Sequence, residues 1–226
     1  MRLSVIIPVY NEASTLAEVL RRVKEAGTSD LVIEIVAVDD ASTDDSPRLL
    51  ELAAADGVKV IRHARNQGKG AAIRSGLAEA TGDAVIIQDA DLEYDPRDYE
   101  AIIAPMRDGN AEVVYGSRIL GNNSYSYRRF YYGGRFLTLL FNLLYGGHLT
   151  DLTTCYKAFR RQTIASLPLR CTRFEFCPEV TARLARRGIP IREVPIRYRP
   201  RSLQEGKKIR WHDGLQAIWT LIALRW

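Results

Sequence analysis

Short aliphatic runs alternate with helical patterns through the first half of the chain, and this alternation constrains the fold more than any other feature. The runs that predict strands lie at residues 3–7, 31–38, 58–61, 84–87 and 113–115. Between them, apolar residues recur at intervals of three and four, which is typical of helices that pack on a sheet. A repeated β-α-β order implies parallel pairing with helices on both faces. We therefore predict an α/β, Rossmann-like fold with a mostly parallel sheet.

Residues that accept hydrogen bonds at helix starts predict where these helices begin. Thr15 and Glu18 have the spacing of a capping box at the first helix. Ser42 is the predicted N-cap of the second helix. Asp95, followed by proline, is the predicted start of the fourth helix.

Size and cysteine content limit the class of protein. A chain of 226 residues with 46% apolar residues can bury one large core, which excludes disordered and fibrous classes. Cys155, Cys171 and Cys177 form an odd set without zinc-type spacing to the histidines. We expect a reduced, cytoplasmic setting, and the first residues do not resemble an export signal.

The two halves of the chain carry opposite charge. Residues 1–113 hold 12 basic and 21 acidic side chains, whereas residues 114–226 hold 20 basic and 6 acidic ones. Such a basic half suits an anionic neighbour, which could be substrate phosphates, a lipid head-group surface or nucleic acid. A merely solvated surface is the alternative.

The second half also contains two apolar segments. Residues 136–145 follow an arginine-rich aromatic loop around Arg128 and are too short to span a bilayer. Residues 214–226 show an apolar face at helical spacing, formed by Leu215, Ile218, Trp219, Ile222 and Trp226. This face predicts either packing on the core or attachment to the cytoplasmic face of a membrane, and packing is the commoner outcome.

Acidic and polar clusters follow three predicted strands, and ligands bind at such strand ends in parallel sheets. The clusters are residues 10–12, Asp39 with Asp40, and residues 89–91. Asp89 and Asp91 are separated by one small residue, so both can face one hard cation, and Glu93 can add a third oxygen. Mg²⁺ or Mn²⁺ held there would neutralise a leaving nucleoside diphosphate.

Other sites that use similar residues fit less well. A calcium loop from Asp89 to Glu100 would need glycine where Tyr94 stands. The turn after the first strand lacks the glycines of a dinucleotide-binding loop. A nucleotidyltransferase and a non-catalytic sugar-nucleotide or lipid-binding module remain open alternatives.

Five ordered motifs are similar to those of the family 2 inverting glycosyltransferases, which have the GT-A fold. The motifs are Pro8–Glu12, Val38–Thr43, Asn66–Gly70, Asp89–Asp91 and Gly116–Arg118. Within that family the chain resembles the polyprenyl-phosphate or dolichyl-phosphate mannose and glucose synthases. The resemblance implies a catalytic domain over residues 1–210, with a donor half to about residue 117 and an acceptor half after it. Residues 211–226 would form a separate amphipathic helix.

The resemblance also implies roles for individual residues. The residues implied in donor binding are Pro8, Tyr10, Glu12, Asp39, Asp40, Asp89 and Ala90. The implied metal ligands are Asp89, Asp91 and Glu93. The residues implied in catalysis are Asp91, Arg118 and Arg128, of which the two arginines would meet the acceptor phosphate. Arg199, Lys207 and Lys208 would cover the donor diphosphate. The positive charge of these arginine and lysine residues independently suits phosphate binding.

The implied reaction moves mannose or glucose, with inversion, from GDP-mannose or UDP-glucose to a lipid-phosphate acceptor. No nucleic acid partner is expected. A hydroxyl acceptor is the alternative, and it would require a carboxylate base. Glu175 and Glu179 are the candidates for that base.

Overall fold

The computed structural model describes residues 1–121, 123, 127–201 and 211–226. Within these ranges, seven strands form one sheet. They are β1 (Arg2–Val9), β2 (Val32–Asp39), β3 (Lys59–Arg62), β4 (Ala84–Ile87), β5 (Val113–Ser117), β6 (Lys157–Arg160) and β7 (Arg192–Pro195). Their order across the sheet is β3-β2-β1-β4-β6-β5-β7.

The predicted parallel order is confirmed for the first four strands. β1 pairs in parallel with β2 and β4, and β2 with β3. β6 lies between β4 and β5 and runs antiparallel to both. β5 and β7 pair in parallel. The mostly parallel α/β fold therefore contains one reversed strand.

Helices cover both faces of this sheet. They are α1 (Leu16–Glu25), α2 (Ser46–Ala55), α3 (Lys69–Glu79), α4 (Tyr99–Arg107), α5 (Arg128–Tyr145), α6 (Arg161–Ala165), α7 (Phe176–Arg186) and α8 (Trp211–Ala223). Alternate residues of β1 enter two separate apolar cores: Val5 and Ile7 pack with α1, α2 and α4, while Ile6 packs with α3, α7 and α8. A central strand buried on both faces explains the continuous aliphatic runs.

Two expectations for the second half are wrong. The segment around Arg128 is not a loop, because α5 begins at that residue and continues for 18 residues. The apolar face of α8 does not pack on the core: Leu215 and Trp219 are 56% and 69% exposed, while Ala217 and Leu221 make the buried contacts. None of the helices in the described ranges has the length and apolar character needed to cross a bilayer.

Candidate active site

A cavity of about 1070 Å³ opens at the edge of the sheet where β1, β2 and β4 end. The predicted donor and acceptor residues that line it are Pro8, Tyr10, Glu12, Asp40, Asp89, Ala90, Asp91, Glu93 and Arg118. The strand-end clusters therefore do converge on one crevice. Three predicted residues, Asp39, Arg128 and Arg199, do not line it. Lys207 and Lys208 lie outside the described residues.

The loops that form the crevice turn sharply. Asn11, Ala41 and Leu92 have φ values of 52°, 61° and 60°, and they are the only non-glycine residues with positive φ in the described ranges. Each follows a different strand end, after β1, β2 and β4. Such backbone conformations cost free energy and persist only where surrounding contacts enforce them. Contacts with other parts of the chain must therefore hold these three loops in place.

Hydroxyl groups predicted as helix caps supply part of that restraint. The Thr15 hydroxyl donates to the Ala90 carbonyl at 2.6 Å, which ties the start of α1 to the acidic loop after β4. Glu18 makes no capping box with Thr15 and pairs with Arg21 and Arg22 instead. Ser42 lies before α2 and accepts from the Asn11 amide at 3.0 Å. Both capping predictions are wrong, because these side chains link loops rather than cap helices.

Asp40 connects the end of β2 to the loop before α3. Its carboxylate accepts from the backbone amides of Gln67 and Gly68 at 2.8 and 2.7 Å, and it contacts His63 Nδ1 at 2.7 Å. Gly68 has a φ of 95°, and a Cβ there would lie 2.5 Å from the Thr172 carbonyl oxygen, so only glycine fits. Asp40 therefore shapes the cavity wall as well as lining it.

Asp39, which the resemblance implied as a donor contact, does not line the cavity in this structure, and its donor contact stays a prediction. It is 4% exposed, and its Oδ1 accepts from the Ser42 amide at 2.9 Å. Because this carboxylate faces its own loop and does not line the cavity, it stabilises the turn after β2. The neighbouring Asp40 is the residue of this pair that reaches the crevice.

Asp91 lies at the centre of the acidic group. Burial, followed by the nearby charges of Asp89 and Glu93, raises its pKa from 3.8 to about 7, against the lowering effect of Arg201. The Arg201 guanidinium contacts Asp91 at 2.9 Å and Glu12 at 3.1 Å. An excess of negative charge in a buried space is a setting that a divalent cation would relieve.

Asp89 is neutralised by a different cation. Lys69, at the start of α3, contacts its carboxylate at 2.5 Å and also donates to Cys155 Sγ at 3.0 Å. Burial is the largest effect on Asp89 and opposes its ionisation, but the Lys69 charge together with hydrogen bonds from Cys155 and Lys69 and the charge of Arg201 keeps the pKa of Asp89 below its ordinary value. Burial likewise opposes the charge of Lys69, yet the combined attraction of Asp89, Cys155 and Cys177 raises the pKa of Lys69 well above its ordinary value. The pair is therefore ionised.

Glu93 is engaged by the chain segment that crosses the cavity. Its oxygens accept from the Tyr198 hydroxyl at 2.8 Å and from the Arg201 amide at 2.7 Å. Arg199 contributes a backbone amide to the Glu93 carbonyl, but its side chain is exposed. Arg201, rather than Arg199, carries its positive charge into the crevice.

The three predicted metal ligands do not form a ready-made cation site. Among residues 1–121, 123, 127–201 and 211–226, no group of three histidines, cysteines or carboxylates is arranged to hold a metal. Lys69 pairs with Asp89, Arg201 pairs with Asp91, and Glu93 accepts from Tyr198. Mg²⁺ commonly uses one or two carboxylates together with substrate phosphates. Asp89 and Asp91 fit that smaller requirement.

Arg118 lines the same cavity as the acidic group. Its guanidinium makes two 2.7 Å contacts with Asp151, which is 3% exposed, and a third with Thr153 Oγ1. The ring of Tyr198 lies 5.1 Å from the same guanidinium. Arg118 therefore orders the predicted acceptor segment, and this bidentate pair limits its reach toward an acceptor phosphate.

Other arginines are better placed than Arg128 for that contact. Arg128 is exposed at the first residue of α5 and does not line the cavity. Arg129 and Arg135, one residue and two turns further along the helix, do line it. Arg173 adds a third positive charge from the loop before α7.

The two candidate general bases accept hydrogen bonds from backbone amides of the loop before α7. Glu179 is 1% exposed, accepts from the Cys171 amide at 2.8 Å and pairs with Arg183 at 2.8 Å. Glu175 accepts from the amides of Thr172 and Arg173. Neither residue lines the cavity. The structure therefore gives no support to either residue as the base for a hydroxyl acceptor.

Comparison with known sequences decides the family. The sequence profile of Glycosyl transferase family 2 matches residues 4–167, which is most of the chain. The chain belongs to glycosyl transferase family 2. The match begins in β1 and ends after β6, so the family 2 region contains the cavity carboxylates Glu12, Asp40, Asp89, Asp91 and Glu93.

Curated relatives in this family include transferases named for lipid carriers. The undecaprenyl-phosphate 4-deoxy-4-formamido-L-arabinose transferase of Klebsiella pneumoniae is 33% identical over 211 residues, covering 91% of this chain and 62% of that protein. The low-salt glycan biosynthesis hexosyltransferase Agl6 of Haloferax volcanii is 30% identical over 203 residues, covering 88% of this chain and 48% of that protein. The chain thus spans about half to two thirds of these relatives.

Solved structures show the same fold. Glucosyl-3-phosphoglycerate synthase of Mycobacterium tuberculosis, crystallised with Mn²⁺, uridine diphosphate and phosphoglyceric acid, superposes with a TM-score of 0.74 at 23% identity. The match covers 99% of this chain and 78% of the synthase. A second structure of that synthase, with Mg²⁺ and uridine diphosphate, gives the same TM-score. The GT-A fold predicted for this family 2 chain is therefore confirmed.

Two cavity residues were missed as site residues in the sequence. Lys69 stands within the Asn66–Gly70 motif, and Arg201 stands two residues after Arg199. Both residues pair with carboxylates that are distant in sequence, 20 and 110 residues away. Only the folded chain shows those pairings, although both residues lie within or next to segments that the sequence had already singled out.

Proposed function

We propose that this chain transfers mannose or glucose from a nucleoside-diphosphate sugar to a polyprenyl phosphate, with inversion at the anomeric carbon. The observation that carries the proposal is the mixed lining of the cavity at the strand ends. Its lining includes the carboxylates Asp89 and Asp91, which suit a metal and a diphosphate. The same lining combines Arg129 and Arg135 with the apolar side chains of Phe136 and Leu215. That combination suits an acceptor with a phosphate head and an apolar tail.

The donor side of the cavity supplies both negatively and positively charged groups. Asp89 and Asp91 would hold Mg²⁺ or Mn²⁺ together with the diphosphate, and the bound ion would neutralise charge on the leaving group. Arg201 Nε is buried without a hydrogen-bond acceptor in the described structure. A phosphate oxygen of the donor would satisfy it, since a buried guanidinium group is costly to leave unpaired. Tyr10 and Pro8, also on this wall, would contact the nucleoside.

The chemistry is a single displacement at the sugar. An oxygen of the acceptor phosphate attacks the anomeric carbon, the bond from that carbon to the donor diphosphate breaks, and the nucleoside diphosphate leaves with the electron pair. An α-linked donor would give a β-linked lipid-phosphate sugar. The acceptor phosphate is already ionised, so the step needs little help from a general base. The structural roles of Glu175 and Glu179 are in keeping with such an acceptor.

Arginines on the acceptor wall would hold the attacking phosphate. Arg118 is fixed by Asp151, and it would orient the wall that Arg129 and Arg135 complete. Planar guanidinium groups suit phosphate because they offer paired donors. The Klebsiella relative, named for undecaprenyl phosphate, supports this acceptor class for the present chain.

A screen of donors against matched acceptors tests the proposal. The purified chain would be incubated with Mn²⁺, UDP-glucose or GDP-mannose, and either a polyprenyl phosphate or the corresponding polyprenol. We expect nucleoside diphosphate release that requires the phosphate and is lost in Asp91→Asn, but not in the exposed control Asp108→Asn. Equal turnover with the polyprenol would indicate a hydroxyl acceptor and overturn the proposal.

A further inference from the structure

Exposed apolar side chains concentrate on two neighbouring helices. Of the thirteen large hydrophobic residues that are exposed in the described ranges, nine lie on α5, on α8 or just after α8, so they are not scattered over the surface. They are Tyr132, Phe136, Leu139, Leu143, Trp211, Leu215, Trp219, Ile222 and Trp226. We refer to these nine residues as the apolar face. Contiguous exposed patches of this kind mark interaction sites.

The apolar face follows from helix geometry. On α5 the four residues recur at intervals of four, three and four, which places them in one stripe along the helix. On α8 the spacing is four, four, three and four, which again gives one stripe. The opposite sides of both helices are buried, through Phe141 on α5 and Leu221 on α8. The Tyr145 hydroxyl joins the two helices by donating to the Leu221 carbonyl at 2.8 Å.

The apolar face is continuous with the cavity. Phe136 from α5 and Trp211 and Leu215 from α8 are more than half exposed, and all three also line the cavity. The apolar lining of the cavity is therefore continuous with the exposed apolar face of the two helices. A long apolar tail whose head lies in the cavity would leave along this route.

Composition identifies the partner. All three tryptophans of the chain belong to the apolar face, and tryptophan favours the boundary between water and lipid. Residues 128–145 and 211–226 together contain four arginines, and Asp213 is their one carboxylate. Arg128 at the start of α5 and Arg225 after α8 lie at the ends of the stripes. Basic and aromatic residues around an apolar stripe suit anionic lipid.

We propose that the apolar face docks this chain on an anionic phospholipid bilayer, so that the acceptor enters the cavity directly from the membrane. The inference about acceptor entry rests on the proposed function, whereas docking does not. Both helices would lie at the head-group level, with Leu143 and Trp219 among the acyl chains. The cavity residues Phe136, Trp211 and Leu215 would then face the bilayer.

Vesicle flotation tests docking without any catalytic step. The chain would be mixed with vesicles of phosphatidylcholine, with or without about 30% phosphatidylglycerol, a composition rich enough in charge to attract arginines. We expect flotation with the anionic vesicles and affinity at least about tenfold lower on neutral ones. The double variant Leu143→Glu with Trp219→Glu should lose binding by about 100-fold or more, because both side chains would enter lipid. Neither residue lines the cavity.

A matched control separates this effect from a general loss of exposed hydrophobic residues. Val32 and Leu52 are 56% and 60% exposed, on β2 and α2, away from the apolar face. Val32→Glu with Leu52→Glu should float like the wild type. Equal loss in both double variants, or no flotation of the wild type, would overturn the proposal. A concentration-dependent dimer that dissociates in Leu143→Glu with Trp219→Glu, without vesicle binding, would instead assign this face to self-association.

Activity on two acceptors distinguishes a failure of docking from a failure of the proposed function. Leu143→Glu with Trp219→Glu should keep wild-type turnover of a short, water-soluble isoprenoid phosphate and lose turnover of a long-chain carrier in vesicles. Equal turnover of both acceptors in this variant would contradict entry from the membrane. If the wild type floats but uses neither acceptor, docking stands and the proposed function fails.

Discussion

The substitution Asp91→Asn removes a buried carboxyl group whose ionisation is disfavoured by burial and by neighbouring negative charges. Asp91 is 9% exposed, and burial together with the charges of Asp89 and Glu93 raises its pKa from 3.8 to about 7. Asparagine keeps nearly the same shape and removes the ionisable group. The substitution therefore tests the electrostatic cause while changing little of the packing.

The sign and size of the effect follow from proton linkage. Between pH 4 and pH 7 the folded chain holds a proton on Asp91 that the unfolded chain has already released. The free energy of unfolding therefore falls as the pH rises through this window. With about 1.4 kcal/mol for each tenfold change, the fall amounts to about 4 kcal/mol for this group. Asp91→Asn should lack this fall and be the more stable protein at pH 8.

Urea unfolding followed by tryptophan fluorescence measures this difference. The wild type and Asp91→Asn would be compared at pH 4.5 and pH 8 in a chelator, with Asp108→Asn as the exposed control. We expect the variant to gain stability over the wild type only at pH 8, and the control to follow the wild type. If the free energy of unfolding of the variant had the same pH dependence as that of the wild type, Asp91 would not be the source of that dependence.

Adding Mn²⁺ at pH 8 extends the same experiment. A cation that binds only the folded chain stabilises it by about 2.7 kcal/mol at one hundred times its dissociation constant. The wild type should gain this stability, because Asp91 is then ionised and available as a ligand. Asp91→Asn should gain much less. Equal gains in both proteins would place the metal elsewhere.

Two further substitutions test the cations of the cavity. Arg201→Gln should lower kcat/KM for the donor by about 100-fold in steady-state kinetics, which is the loss expected for one charge-assisted phosphate contact. The control Arg199→Gln, at an exposed residue, should keep kcat/KM within about twofold of the wild type. Lys69→Met should lower the free energy of unfolding by about 3 kcal/mol, because it leaves Asp89 buried and unpaired. Lys59→Met, which breaks an exposed pair, should cost less than about 1 kcal/mol in the same urea titration.

The donor side of the cavity could be predicted from local sequence. β4 occupies residues 84–87 as expected, because an all-aliphatic run bounded by polar residues has few alternatives. Asp89 and Asp91 follow it directly, and parallel strands bring their carboxyl ends to one edge. The crevice thus follows from chain order alone.

The acceptor side depends on contacts that local patterns do not reveal. β6 begins with Lys157, a residue that usually argues against a buried strand, yet it is fully buried. Its ammonium group donates to the Leu152 carbonyl at 2.9 Å and lies 3.5 Å from the Tyr115 ring centre. Leu152 is a near neighbour in sequence, but Tyr115 lies on β5, so the pattern around Lys157 alone does not show how its charge is accommodated.

The same reasoning explains the exposed stripe of α8. Apolar residues at helical spacing predict a face that avoids water, but they do not say whether protein or lipid covers it. In the fold, the buried side of α8 is made by the smaller residues Ala217, Thr220 and Leu221. The tryptophans Trp219 and Trp226 therefore remain outside, at 69% and 90% exposure.

The central claim concerns the bond that the enzyme forms, and nuclear magnetic resonance of the product tests it most directly. The chain would convert a donor labelled with ¹³C at the anomeric carbon, in the presence of Mn²⁺ and polyprenyl phosphate, and the metal would be removed before measurement. We predict a lipid product whose anomeric carbon is coupled to phosphorus and has the β configuration. An anomeric carbon without phosphorus coupling, or with retained α configuration, would contradict phosphate attack with inversion.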